Sequence, residues 1–483
     1  MNERAIVLDI LVELDKGDGY TDRLIKDTLD KYDYLETREK SFIKRLSEGV
    51  VEKRITLDYV IDTFSKCKTT KMRPIVKQIM RMGVYQILYM DSVPDSAACN
   101  ESVKLAQKKG FSSLKGFVNG VLRSVSRGQG NILFPDASKN WSYAMSVIHS
   151  MPEDTVKMID SWYGHEKSEK ILSDFDLIRP VTIRVCDEAG FSELLKTPEW
   201  GKANPLQNQY LPYAYTVNGT EGISSLPGFD EGVFTVQDAG SMLVAEAAEI
   251  EEGQILLDVC AAPGGKACQC AQKLADACQS ADSHVDACQS AGKMNDAENC
   301  MTTDKSHITA CDISADRAER INENMIRLGI KNMDVKVCDA CEFIPEFENS
   351  ADIVFADVPC SGLGVAGRKP DIKYHVTRES IKVLTELQWK IVSNVCRYVK
   401  PGGTFIYSTC TISPDENVKM AERIAAELGM DQVSILDRLS DALKSDLDDD
   451  SLKMAEKGCL QLLPGIQKTD GFFIAKFRKS MNK

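Results

Sequence analysis

From about residue 235 the sequence alternates apolar runs with amphipathic stretches, and this alternation constrains the fold more than any other feature. The runs ILLDVCA (255–261), ITACD (308–312), VKVCD (335–339), DIVFADV (352–358) and GTFIYST (403–409) are mostly apolar and end in polar or small residues. Between them lie GKACQCAQKLA, SADRAERINENMIRLG and ESIKVLTELQWKIVSNVCRYV, all with helical spacing of apolar residues. A continuously apolar strand must be covered on both faces, and strands separated by helices meet that need in a parallel sheet. The pattern predicts an α/β domain over residues 235–480. Its last stretch, GIQKTDGFFIAKFRK, reads as a closing hairpin.

Residues 1–128 read differently. RAIVLDILVEL, REKSFIKRLSEGVVEKR, TLDYVIDTF, MRPIVKQIMRMGVYQILYM and SLKGFVNGVLRSVSR have helical periodicity throughout, so this region is expected to be all-helical. In the fourth, Val76, Met80, Gly83 and Ile87 share one face, and Pro74 suits a first-turn position. RGQGNILFPDASKN (127–140) has linker composition. Residues 141–230 mix short helices with the strand-like PVTIRV and are read as a small connecting α+β domain.

Net charge is −13, which argues against a nucleic-acid binder until it is divided. Residues 1–130 carry 23 lysines and arginines against 18 acids, an excess of +5, so the rest of the chain stands at −18. Two runs in this region contain no acid: Lys66, Lys68, Lys71, Arg73, Lys77 and Arg81, then Lys104, Lys108, Lys109, Lys115, Arg123 and Arg127. One such run is usually a solvated helix face; two in one small domain favour a phosphate-binding surface.

The N-terminus has no apolar signal region, and no run of about 18 apolar residues exists. The expectation is a cytoplasmic chain without membrane attachment, whose 16 cysteines stay reduced. Residues 276–306 repeat DACQSA twice and are read as a low-complexity insertion. Its cysteines and histidines match no metal-ligand spacing, and no metal is expected.

Chemistry concentrates at the predicted strand ends. LDVCAAPGGKA stands at the first strand-to-helix turn, where Gly264 and Gly265 let backbone approach a ligand. It lacks G-x-G-x-x-G and the triphosphate-binding G-x-x-x-x-G-K-[ST]. Asp312, Asp339 and Asp357 close successive strands. Asp312 lies 48 residues after Gly264, and removing the 31-residue insertion leaves 17, close to the usual distance to a ribose-binding acid. An acidic site without a phosphate clamp suits a cofactor with ribose, adenine and a cationic centre, such as S-adenosylmethionine. Cys360 and Cys410 follow the fourth and fifth strands. Both can face this pocket, and spacing does not choose between them.

LDVCAAPGGK, ACDISADRAERINENMIRLG, ADVPCSGLG, RKPDIKY and YSTCTISPDEN together resemble the RNA cytosine-C5 methyltransferases of the Sun/NOP2 family. VQDAGS (236–241) fits too, and the basic helical N-terminus resembles a NusB-like RNA-binding domain. Ala267 departs from the threonine common in the family, and the insertion is unusual. The resemblance implies a Rossmann-like class I methyltransferase domain with S-adenosyl-L-methionine as cofactor. Cys260, Ala261, Ala262, Pro263, Gly264, Gly265 and Lys266 would form the cofactor loop. Asp312 would hold the ribose, Asp339 the adenine edge, and Asp357 would lie between cofactor and base. It further implies Cys410 as nucleophile and Cys360 as the residue that assists product release. The implied partner of this enzyme is 16S ribosomal RNA, with no DNA and a monomeric state. Transfer RNA as substrate, or a non-catalytic RNA-binding assembly factor, are the alternatives.

Overall fold

The computed structural model describes residues 3–17, 21–218, 222–276 and 306–481. The predicted insertion, with Cys278, His284, Cys288 and Cys300, falls outside the described residues apart from its two ends. The chain forms two compact units. The first comprises Met1–Leu177 and Ala366–Thr377; the second comprises Ile178–Val365 and Arg378–Lys483. Among the described residues, no helix is long and apolar enough to cross a membrane.

The first unit is helical, as the periodicity predicts. Its helices are α1 (Glu3–Leu14), α2 (Thr21–Lys31), α3 (Thr37–Glu52), α4 (Arg54–Phe64), α5 (Pro74–Tyr89), α6 (Asp95–Lys108), α7 (Lys115–Gly128), α8 (Trp141–Ile148) and α9 (Glu153–Phe175). Helix α5 packs against α1, α3, α4, α6 and α7. It therefore buries more than the expected Val76–Met80–Gly83–Ile87 face: Ile79, Met82 and Val84 are buried as well. Gly83 permits this packing, since a Cβ there would stand 2.7 Å from both Leu122 methyl carbons and 3.0 Å from Ser102 Oγ. Helix α2 is not among the predicted segments: it is strongly polar on average and buries only Thr21 and Ile25. Arg81 is not part of a basic surface. It is buried and held by Asp58 through two hydrogen bonds of 2.7 and 2.6 Å.

Two segments join this unit from beyond the predicted boundary. Thr56 Oγ1 donates to Val147 O at 2.6 Å, and Lys53 Nζ donates to Asp176 Oδ1 at 2.6 Å. These bonds tie α8 and α9 to the helical unit, so the connecting domain read over 141–230 is divided at Leu177. Residues 366–377, which contain all of RKPDIKY, belong here too. Lys373 Nζ donates to Glu52 O (2.8 Å), and the Tyr374 hydroxyl donates to Val51 O (2.9 Å). Arg54 lies over the Tyr374 ring, 3.7 Å from its centroid. Burial pushes the Lys373 ammonium down to about 7.

The second unit holds two sheets. The smaller contains β1 (Val181–Val185), β2 (Leu206–Gln207), β3 (Ala214–Val217) and β4 (Phe234–Val236), in the order β2-β3-β1-β4. Short helices α10 (Glu188–Leu194) and α11 (Pro198–Ala203) cover it, with Trp200 fully buried among Phe191 and Phe234. Helix α12 (Ala239–Ala247) then leads into the larger sheet.

That sheet is the predicted one. Its strands β5 (Ile255–Asp258), β6 (His307–Asp312), β7 (Met333–Val337), β8 (Ala351–Asp357) and β9 (Val399–Thr409) are mutually parallel, in the order β9-β8-β5-β6-β7. Helices α13 (residues 265–276), α14 (Ala315–Arg327), α15 (Arg378–Val395) and α16 (Val418–Glu427) accompany them. Strands β10 (Met430–Gln432), β11 (Cys459–Leu462) and β12 (Phe472–Lys479) complete the sheet. The closing hairpin is broader than the sequence suggests. β12 runs antiparallel to β9 as well as to β10 and β11, and its Phe473 and Phe477 are fully buried.

Gly83→Val should destabilise the helical unit by about 1–3 kcal/mol, because the added bulk must displace Leu122 in a packed core. Chemical denaturation of the full chain checks this through the midpoint of the helical transition.

Candidate active site

Strand order brings the predicted residues to one edge. β5 lies between β6 and β8, so the direction of winding changes beside it, and ligands of open α/β sheets bind at such a point outside the carboxyl ends of the strands. Asp258, Asp312 and Asp357 end β5, β6 and β8, while Asp339 follows β7 by two residues. Cys360 lies just past β8 and Cys410 just past β9.

The loop after β5 is built tightly. Gly264 takes φ +100°, and its amide donates to Ala261 O. A Cβ at Gly264 would stand 3.1 Å from Ile321 of α14, so loop and helix are in close contact. Asp312 Oδ2 accepts the Ala262 amide at 3.1 Å, and Asn324 Nδ2 donates to Pro263 O at 2.9 Å. Asp312 Oδ1 accepts the Ile313 amide (2.8 Å) and meets Arg317 Nε at 2.7 Å. Cys338 N donates to Asp312 O, which sets the Asp339 turn beside Asp312. There Asp339 Oδ1 accepts the Cys341 amide at 2.8 Å. Cys260 is half-buried, and desolvation, Asp258 and Asp357 push its thiol far up.

Lys266 has a role that the sequence does not announce. Its Nζ reaches Asp357 Oδ2 at 2.7 Å, and Ser408 donates to Asp357 Oδ1 at 2.8 Å. Burial works to lower the Lys266 ammonium, but Asp357, Asp258 and Cys410 outweigh it and hold the ammonium up. Asp258 also escapes sequence reasoning, having been read only as the polar part of a strand end. It is 1% exposed, and its oxygens have no hydrogen-bond partner within 3.5 Å among the described residues. Burial pushes its carboxyl up to about 7, with Lys266 opposing and Asp357 adding to the shift. The space at Gly264 and Gly265 is taken by Ile321 and Gln237 rather than left open as the glycine pair suggests; the carboxylates around one ammonium still fit a cofactor with ribose hydroxyls and a positive centre.

The two thiols meet. Cys360 Sγ and Cys410 Sγ lie 3.4 Å apart, both half-buried. The residues after them are clamped together. Ser361 Oγ lies 2.7 Å from Thr411 Oγ1 and donates to Glu416 Oε2 at 2.6 Å. Glu416 Oε1 accepts the Ser361 amide (2.8 Å) and Gln388 Nε2 (3.0 Å). Gln388 donates to Pro359 O as well, and Gly364 N donates to Cys410 O at 3.1 Å. Glu416 is fully buried, and burial raises its carboxyl against the opposing bonds from Ser361. It sits in the quoted YSTCTISPDEN, but no spacing rule marks it as a support for Cys360.

The electrostatics of the thiols differ. The hydrogen bond to Cys410, then burial, then the charges of Cys410, Glu416 and Asp357 push Cys360 far up, which keeps it a thiol. Lys266 instead interacts with Cys410.

Residues 272–478 match the family described as 16S rRNA methyltransferase RsmB/F, and residues 1–127 match the NusB family. The probable ribosomal RNA small subunit methyltransferase B of Bacillus subtilis (strain 168) is 32% identical over 484 residues, covering 99% of this chain and 98% of that one. Its counterpart in Synechocystis sp. is 30% identical over 495 residues, covering 99% and 100%. Among solved structures, PH0851 is similar with a TM-score of 0.71 at 19% identity, over 99% of each chain. NSun6 from Pyrococcus horikoshii, solved with SFG, gives 0.55 at 21% identity, over 70% of this chain and 100% of that one. At those identities the solved structures are alike in fold.

Asp258 gives a pH prediction with a definite sign. Its folded carboxyl titrates near 7 and its unfolded one near 4, so the folded state loses stability as pH rises between them. Asp258→Asn should match the parent near pH 4 and exceed it at pH 8, by on the order of 3 kcal/mol. Thermal unfolding across that range is the measurement; a difference independent of pH would refute the buried neutral acid.

Proposed function

The chain belongs to the 16S rRNA methyltransferase RsmB/F family, and from that premise we propose that it methylates C5 of a cytosine in 16S ribosomal RNA, with S-adenosylmethionine as donor and a covalent adduct between Cys410 and C6 of the base. The observation that carries the reading is the pair of thiols 3.4 Å apart, at the same strand ends as the Lys266–Asp357 ion pair. Lys266 interacts with Cys410, and Glu416 and Asp357 push the Cys360 thiol up.

C5 of cytosine is a weak nucleophile. The Cys410 thiolate forms a bond to C6, and the displaced electron pair makes C5 enamine-like. Asp357 is the group assigned to N3 of the base, and the Lys266 ammonium at 2.7 Å stands ready to replace a proton given there. When bound, S-adenosylmethionine would supply an electrophilic methyl group on a sulfonium centre. Loss of the C5 proton to water then expels Cys410 as thiolate, and the N3 proton returns to the Asp357 carboxylate, which restores the ring. The Cys360 thiol, 3.4 Å from Cys410, is placed to donate to that departing thiolate, which supports a role in release.

The residues from Cys260 to Lys266 would hold the cofactor, with Asp312 on the ribose and Asp339 on the adenine edge. Arg317 shares Asp312 Oδ1 and is half exposed, so it can yield that oxygen to a ribose hydroxyl. The acid-free basic runs of the helical unit, without the buried Arg81, would add salt-dependent affinity for RNA.

Cys410→Ala should abolish both methyl transfer to 16S RNA and the denaturation-resistant adduct formed with RNA containing a fluorinated cytosine. Robust turnover in that variant would overturn its assignment as nucleophile. Cys360→Ala should instead accumulate the protein–RNA adduct, visible as a slower band in a denaturing gel. Normal product release would remove the role given to Cys360.

A further inference from the structure

Helices α15 and α16 lie on one face of the sheet. Ile391, Val392 and Val395 of the first, and Met420, Ala421 and Ile424 of the second, share a core with β8 and β9. α15 lies in the crossover from β8 to the parallel β9, and α16 follows β9. Both helices start from the carboxyl edge of the sheet, the edge that carries Asp357, Cys360 and Cys410.

Between the first turns of these helices runs an open groove of about 320 Å³. Its floor includes the buried Ile381 and Met420. Arg378 and Lys382 line it from α15, and Lys419 and Arg423 from α16. Against four cations it holds one carboxylate, Asp415, which Lys419 occupies at 2.6 Å. Arg378 and Lys382 form no ion pair among the described residues. Arg423 lies 3.7 Å from the centroid of the Trp389 ring and pairs with Glu427 at 2.9 Å. Exposed pairs like these contribute at most about 1 kcal/mol, so an anion of higher charge can displace them.

A basic helix face alone is ordinarily just solvated. Two such faces turned toward each other across one concavity are different, because their charges repel unless an anion lies between them. An arginine stacked on an indole beside a line of cations is the combination that holds single-stranded nucleic acid. The groove is also coupled to the thiols: the buried side of α15 carries Gln388, which bonds Pro359 O and Glu416.

We propose that the α15–α16 groove is a phosphodiester-binding site for the RNA strand flanking the target cytosine. The proposal rests on the RNA-methyltransferase reading above. A base that leaves its stack to reach Cys410 drags its backbone with it, and that backbone needs a fixed anchor at the same edge of the sheet. The four cations supply it.

The test uses the full chain and transcribed small-subunit ribosomal RNA. Arg378→Ala with Lys382→Ala, and separately Lys419→Ala with Arg423→Ala, should each weaken RNA binding about tenfold at moderate salt. Each pair should also lower the slope of log Kd against log salt by about 1.4, two contacts at about 0.7 each. S-adenosylmethionine affinity should stay at the parent value, and Arg378→Lys with Lys382→Arg should restore RNA binding. If the parent methylates the RNA while both alanine pairs keep its affinity and salt slope, the groove proposal is wrong and the reaction stands. If the parent neither binds nor methylates the RNA, the substrate reading itself fails.

Discussion

The edge of the large sheet depends on one buried ammonium. Asp258, Asp312 and Asp357 end neighbouring strands, with two thiols a few residues beyond. Such a crowd of acids repels itself in a low dielectric. Lys266 relieves the crowding by pairing with Asp357 and by lying near Asp258 and Cys410. Burial neutralises Asp258 near neutral pH, which removes one charge more. The result is an edge whose crowded acids are partly neutralised from within.

The cysteine pair depends on a second device, a set of hydrogen bonds between the two loops that carry the thiols. Ser361 and Thr411 tie the two loops through their hydroxyls, and Glu416 holds Ser361 at both its amide and its side chain. Both thiols are thereby fixed in relation to each other by bonds one residue away. Lys266 interacts with Cys410, and Glu416 and Asp357 push the Cys360 thiol up.

The parallel sheet was legible because each strand must be apolar on both faces and because acids collect at carboxyl ends. The helical unit was legible wherever a helix buries a stripe, as α5 does, and illegible where it buries little, as α2 does. The division at Leu177 could not be read, since α8 and α9 join the helical unit through bonds such as Thr56 to Val147, with no local signature. In the site, glycines, acids and cysteines were visible by type and position. The pairing of Lys266 with Asp357 spans 91 residues of sequence, and that of Ser361 with Glu416 spans 55. Only folding brings such partners together. Arg81 shows the reverse: an apparent surface cation by run, a buried partner of Asp58 by packing.

The passage of residues 366–377 through the helical unit has a consequence for how the protein is made. Val51 O, Glu52 O and the Thr21 amide receive partners from Lys373, Tyr374 and Asp371. Those partners do not exist when the first 177 residues leave the ribosome. About 190 further residues must be polymerised first, which takes on the order of 10–40 s at ordinary elongation rates. The N-terminal unit, although first in the chain, therefore reaches its full set of bonds only after residue 377 has been made, when four strands of the large sheet's parallel core and its first crossovers are already synthesised but β9 is not.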